Sequence, residues 1–349
     1  MRIAAVRRAF PQHYYDQATL IAAFRRAWAR RHYNLDRLEQ LHRNVLVGGR
    51  HLALPLEEYD RLHTWGEAND AWIRVGEEVG AKAIREALTA AHLETGDVDA
   101  IVFVSVTGIS TPSLDARLAN RLCLPAHVRR VPIFGLGCVA GAAGVARAAD
   151  LLRGRPGEVA VVLSVELCSL TLQREDLSVP NLIATGLFGD GAAAAVIVGD
   201  GRDGPGPRIV ATRSVFYRDS EHVMGWSISE SGFRIVLSPD VPTVVMQKLP
   251  GDVDAFLAAH ALTRDDIGFW VSHPGGPKVL EAMQQALGLD KRALEPSWRS
   301  LREAGNLSSA SILLVLEDVM REAAPPPGTY GLMVAMGPGF CSELVLLQW

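Results

Sequence analysis

Two strand-like segments of this chain return, faintly, in its second part. Asp97-Val98-Asp99-Ala100-Ile101-Val102-Phe103-Val104-Ser105 is echoed by Asp265-Asp266-Ile267-Gly268-Phe269-Trp270-Val271-Ser272. Pro156-Gly157-Glu158-Val159-Ala160-Val161-Val162-Leu163 is echoed by Pro327-Gly328-Thr329-Tyr330-Gly331-Leu332-Met333-Val334. Either echo alone fits generic α/β grammar, but the pair points to a duplicated unit. Short apolar runs alternate with helical patterns throughout, which predicts α/β layers with mostly buried strands. Strands are expected at 99–106, 158–165 and 192–198. The one linker-like stretch, Gly199 to Pro207, divides the chain into units of 1–205 and 206–349. With 349 residues, 48% of them hydrophobic, the chain can bury a large core.

Three residues stand in unusual contexts. Cys138 follows the turn Phe134-Gly135-Leu136-Gly137 and opens an Ala/Gly-rich apolar helix that runs to Leu152 and ends at Arg153-Gly154. At a helix N-terminus the macrodipole and unpaired N–H groups favour thiolate, whereas a lone cysteine in an apolar helix reads as core. His273 lies in Val271-Ser272-His273-Pro274-Gly275-Gly276-Pro277, where an apolar strand stops in a rigid loop. Asn306 lies in Gly305-Asn306-Leu307-Ser308-Ser309-Ala310, before the apolar helix Ile312 to Met320. Taken singly, the last two read as a loop histidine and a helix N-cap. Together, the three have the residue types of a thiol nucleophile with two oxyanion donors.

At this point the chain resembles the type III polyketide synthases, the chalcone-synthase-like enzymes. The matching segments are Gly137-Cys138-Val139-Ala140-Gly141, Leu187-Phe188-Gly189-Asp190-Gly191-Ala192, His273-Pro274-Gly275-Gly276-Pro277, Gly305-Asn306-Leu307-Ser308-Ser309-Ala310 and Gly337-Pro338-Gly339-Phe340. They occur in the family's order, so the resemblance covers essentially the whole chain.

The resemblance implies a thiolase fold, two βαβαβ halves stacked in five layers (αβαβα). Cys138 would come from the first half, and His273 and Asn306 from the second. It also implies that Cys138 takes the acyl group of an acyl-CoA starter, paired with His273 as an imidazolium–thiolate. His273 and Asn306 would then hold the malonyl-CoA thioester oxygen during decarboxylation and carbon–carbon bond formation. No metal or redox cofactor is called for, since CoA thioesters are the substrates and decarboxylation itself supplies the carbanion.

By the same alignment Phe188 matches a gating phenylalanine, although a core phenylalanine reads the same way. Thr171, Ser308, Ile235 and Trp226 match positions that shape the elongation cavity. Gly337-Pro338-Gly339-Phe340 matches a loop that scaffolds cyclisation, and its residues would also make a plain tight turn. Arg37 and Arg43 are expected CoA-phosphate ligands, although Gln40 and Asn44 stand where the plant enzymes carry basic residues. Lys278 is a third candidate. Trp226 replaces a small residue of the plant enzymes. Cys168 and Thr107 are small where similar bacterial enzymes open a tunnel for long acyl chains, unless Cys168 is simply a packed strand residue. These features favour a fatty acyl starter and an alkylpyrone or alkylresorcinol product.

Two other enzyme types compete: a ketoacyl synthase of the fatty-acid initiation type, and a cysteine-dependent thioesterase or hydrolase. A subunit with a dead site is a third reading, and the intact trio argues against it. A net charge of −4 and a pI near 6.2 argue against a nucleic-acid binder. Many of the arginines (Arg25, Arg26, Arg30, Arg31, Arg37, Arg43, Arg50) crowd the N-terminal stretch, as a solvated helix face would. The N-terminus does not read as a signal peptide, and no apolar run reaches membrane-spanning length. The four cysteines show no paired or metal-ligand spacing. A cytoplasmic enzyme is expected, and the resemblance implies a homodimer.

Overall fold

The computed structural model describes residues 1–29, 34–322 and 325–349, so Arg30 and Arg31 lie outside the described residues. The strands of the main sheet are β1 (Arg2–Ala9), β2 (Ala100–Ser105), β3 (Arg129–Phe134), β4 (Val159–Leu167), β5 (Asp190–Val198), β6 (Arg208–Phe216), β7 (Ile267–Ser272), β8 (Tyr330–Gly337) and β9 (Cys341–Gln348). Their spatial order is β7-β8-β9-β6-β1-β5-β4-β2-β3. Three of the expected strands are present, shifted by no more than two residues at either end.

The duplication is visible in the pairing. In the first half β2 runs parallel to β4, β4 antiparallel to β5, and β5 antiparallel to β1. In the second, β7 runs parallel to β8, β8 antiparallel to β9, and β9 antiparallel to β6. The two echoed segments are thus β2 and β7, and β4 and β8. Each of β2 and β7 is preceded by a short 3-10 turn closed by a capping box, Glu94 with Asp97 and Thr263 with Asp266. Among the described residues strand β3 has no second-half counterpart. The halves meet edge to edge through a single ladder pair, Arg2 with Arg208.

Two helices fill the space between the halves. Ala140–Leu152 is built from Ala, Gly, Val and Leu with two charged residues, and most of its length is buried. Ser311–Glu322 starts with an apolar, fully buried run from Ile312 to Leu316, and its charged residues Glu317, Asp318, Arg321 and Glu322 follow toward its end. Such helices belong inside a protein. They touch where Gly141 sits over the Ser309 carbonyl and the Ile312 side chain. Outside the first half, Trp65–Ala90 is capped by a Thr64–Glu67 box and lays Trp72, Val75, Val79 and Ile84 on the sheet. Val241–Ala258 and Pro277–Leu287 cover the outer face of the second half. The five layers of a thiolase fold follow.

Candidate active site

The site forms where the parallel strands end. β3 leads into Cys138, β7 into His273, β2 into Val106 and Thr107, and β8 into Pro338. In open α/β sheets the crevice beyond the carboxyl ends of the strands is where ligands bind. Here the two halves bring their crevices together around one cavity of about 570 Å³.

Cys138 sits in a 3-10 turn, Gly137–Val139, that leads into the helix Ala140–Leu152. The turn needs glycine. Gly135 and Gly137 have φ of 96° and 55°, and a Cβ on Gly137 would come 2.7 Å from the Pro338 ring. Gly337 packs as closely from the other side, where a Cβ would lie 2.7 Å from the Val139 nitrogen. The Gly337-Pro338-Gly339-Phe340 segment is therefore a tight turn between β8 and β9, and it also buttresses the cysteine loop. Pro338 and Phe340 line the cavity.

His273 is buried, its backbone N–H donating to the Val334 carbonyl at 3.0 Å. Among the described residues neither ring nitrogen has a hydrogen-bond partner. Asn306 is fixed more firmly: Oδ1 accepts from the Ser308 N–H at 2.8 Å, and Nδ2 donates to the Gly275 carbonyl at 3.2 Å. That arrangement sets the amide flip and turns the second Nδ2 hydrogen toward the Cys138 sulfur, from where an incoming acceptor can take it. Ser308 holds φ at 46°, a left-handed conformation that costs a non-glycine residue energy. Its hydroxyl lies 3.8 Å from the Cys138 sulfur.

The electrostatics depart from the sequence expectation of a resting thiolate. Burial pushes the Cys138 thiol up to about 12, with the nearby Glu166 carboxylate adding to the rise and the Ser308 and Asn306 hydrogen bonds opposing it. Burial also holds His273 down, at about 3. Both shifts favour a neutral thiol beside a neutral imidazole. Desolvation outweighs the turn's dipole because both side chains are buried, and burial penalises their charged forms.

Cys138, His273, Asn306, Phe188, Cys168, Thr107, Trp226, Ile235, Ser308 and Lys278 all line this cavity. Thr171 does not. It lines a second cavity of about 630 Å³, and its hydroxyl donates to the Cys168 carbonyl at 2.8 Å. Cys168, Phe188, Trp226 and Ile235 belong to both linings and so form the partition between them. Trp226 and Ile235 face each other across the hairpin of Met224–Ser229 with Gly232–Leu237.

Arg37 and Arg43 line neither cavity. Arg43 is ion-paired with Glu39 at 2.6 Å on the helix Leu35–Asn44, whose Leu41 and Asn44 reach the first cavity instead.

Two residues near the site were not singled out from the sequence. Glu166, fully buried, accepts from the Val106 N–H at 3.1 Å, the Thr107 hydroxyl at 2.8 Å and the Ser309 hydroxyl. One carboxylate in the apolar run Val159–Leu167 was the available signal. The other residue is Arg50, hidden among the N-terminal arginines. Among the described residues, no group of three or more His, Cys, Asp or Glu could hold a metal, and no helix is long and apolar enough to cross a membrane.

Comparison with known proteins agrees with this geometry. Residues 1–202 match the N-terminal domain, and residues 208–349 the C-terminal domain, of the chalcone and stilbene synthases. The chain belongs to that family and is a type III polyketide synthase, an acyltransferase. It is 53% identical over 350 residues to the 1,3,6,8-tetrahydroxynaphthalene synthase of Streptomyces peucetius subsp. caesius, covering 99% of this chain and 93% of that one. It is 40% identical to a putative chalcone synthase of Bacillus subtilis, covering 90% of each. Among solved structures, the 1,3,6,8-tetrahydroxynaphthalene synthase of Streptomyces coelicolor A3(2), a bacterial type III polyketide synthase, superimposes with a TM-score of 0.95 at 31% identity. That match covers 100% of this chain and 99% of that one.

Proposed function

We propose that this chain builds a polyhydroxylated aromatic from malonyl-CoA alone, as a pentaketide closed to 1,3,6,8-tetrahydroxynaphthalene. The observation that carries the product is the 53% identity, over nearly the whole chain, to a synthase of that compound. A naphthalene has ten carbons, and its four hydroxyls match a chain of five two-carbon units. The balance closes: five malonyl-CoA give one tetrahydroxynaphthalene, five CO₂, five CoA and one water.

In this reading Cys138 Sγ attacks the starter thioester, its proton passes to His273, and CoA leaves as the thiol. The next malonyl-CoA places its thioester oxygen against His273 Nε2 and the second Asn306 Nδ2 hydrogen. Loss of CO₂ leaves an enolate whose charge those two donors stabilise. The enolate carbon attacks the acyl carbonyl on Cys138, the carbon–sulfur bond breaks, and the chain returns to CoA two carbons longer. Removing one oxyanion donor costs about 10²–10³ in kcat in comparable sites. Lys278, at the start of the helix Pro277–Leu287 and in the cavity lining, is the best placed of the three expected CoA ligands. Exposed Ile109 and Phe134, the latter ending edge strand β3, support a homodimer, which we place in the cytoplasm.

A fatty acyl starter leading to an alkylpyrone or alkylresorcinol is the second reading. The mostly apolar walls of the first cavity favour it, as does Cys168 in the partition to the second. Beyond that partition the second cavity is lined mainly by Leu20, Phe24, Leu52, Leu56 and Phe233, with Arg50, Tyr59, Ser169 and Asn181 also in the wall, and so offers room to either chain. Mass spectrometry of products from malonyl-CoA, alone and with acyl-CoA starters of increasing length, separates the two. A ten-carbon tetrahydroxylated product from malonyl-CoA alone is expected. Product only when a long-chain starter is supplied would move the assignment to the alkyl series.

A further inference from the structure

We infer that Arg50 is a positioning residue that holds the gate Phe188 and the oxyanion donor Asn306 in one register, an inference that rests on the site reading above. Arg50 is 3% exposed, and its Nη1 donates to the Phe188 carbonyl at 2.6 Å. Phe188 and Asn306 are themselves joined by a short parallel bridge. Asn306 N–H donates to the Leu187 carbonyl at 2.9 Å, and Gly189 N–H to the Asn306 carbonyl at 3.0 Å.

The arginine lies across both strands of that bridge. A Cβ on Gly189 would meet Arg50 Cβ and Cγ at 3.5 Å, and one on Gly305 would meet Arg50 Cδ at 3.1 Å. The bridge carries glycine on both sides. A Cβ there would first meet backbone, the Ala304 carbonyl at 2.4 Å from Gly189 and the Leu187 carbonyl at 2.6 Å from Gly305, and the arginine stem packs against the same two glycines. Among the described residues Nε has no hydrogen-bond partner, and the bond from Nη1 to the Phe188 carbonyl is the guanidinium's contact with the bridge. Burial lowers the Arg50 pKa, and Asp190, held by the Ala53 and Ser169 N–H groups at 2.6 and 2.8 Å, is near enough to raise it in opposition. Without Arg50 the Phe188 carbonyl loses this donor in a buried place, and the bridge loses the group that spans it. A shift there moves the gate and Asn306 together, while Cys138 stands on another turn. Small misplacements of a donor cost rate more than binding.

Arg50→Lys keeps the charge and Arg50→Met keeps the length without a donor. Hydrogen exchange at the Gly189 and Asn306 amides should quicken at least tenfold in Arg50→Met and less in Arg50→Lys, with the amides of Ala140–Leu152 unchanged. With malonyl-CoA, kcat should fall at least tenfold in Arg50→Met while KM and the rate of Cys138 alkylation stay within twofold. Wild-type exchange at the bridge, or an unchanged kcat, overturns the inference. So does a parallel loss of kcat, alkylation and helix protection, because Arg50 would then act only through global stability. A wild-type enzyme inert toward malonyl-CoA would remove the site reading, and the exchange contrast would still decide whether Arg50 holds the bridge.

Discussion

The proton on Cys138 decides how the reaction starts. With the thiol pushed up to about 12 and His273 held at about 3, both groups are neutral across the range between those values. On the proposed mechanism the thiolate is not stored in the resting enzyme and forms only once substrate occupies the site. Between pH 6 and 9 the peptide-resolved alkylation of Cys138 by iodoacetamide should climb about tenfold per pH unit. A rate that levels off by pH 7 would show a pre-formed thiolate–imidazolium pair and contradict this account. At this scale the sequence was informative about identity and poor on state. The flanking glycines and prolines marked Cys138, His273 and Asn306, because special backbone geometry demands special residues. Desolvation depends on everything packed around the sulfur, and no local pattern carries that. Arg50 was lost for the same reason: a buried arginine and a solvated one are the same letter.

At the scale of elements, the central pair of helices sets the distance between the halves. Gly141 is the contact point. A Cβ there would press on the Ser309 carbonyl and come 2.6 Å from Ile312 Cγ2, and Ser309 neighbours the strained Ser308. Gly141→Ala should therefore destabilise the fold by about 1–3 kcal/mol through overpacking, measured by urea unfolding. It should also reduce turnover beyond the loss of folded protein, since the push falls on the Ser308 turn. Unchanged stability would mean that the helices can part without cost. Three of the nine sheet strands, at 99–106, 158–165 and 192–198, were legible to within two residues from their apolar runs, and the Ala/Gly helix from its composition. Its start was not. The sequence puts Cys138 in the helix, whereas the chain makes a 3-10 turn first because Gly137 adopts a positive φ beneath Pro338. That contact comes from the other half of the chain.

Across the whole molecule the division of labour follows the duplication. The β3-to-β4 connection carries Cys138, and the β7-to-β8 connection carries both His273 and Asn306. Two faint echoes were enough to suggest this, because β2 and β7, and β4 and β8, perform the same structural task in each half. The second cavity was not legible. Its walls come from the N-terminal helices, the segment after β4 and the Met224–Leu237 hairpin, which only the fold assembles.

The central claim is that Cys138 of one half and the His273–Asn306 pair of the other act together to form carbon–carbon bonds. The direct measurement follows wild type and Cys138→Ala on malonyl-CoA, with products read by mass spectrometry and CO₂ release recorded in parallel. The account predicts polyketide from wild type only, with slow CO₂ release persisting in Cys138→Ala because both oxyanion donors remain. Polyketide from Cys138→Ala at wild-type yield would contradict it.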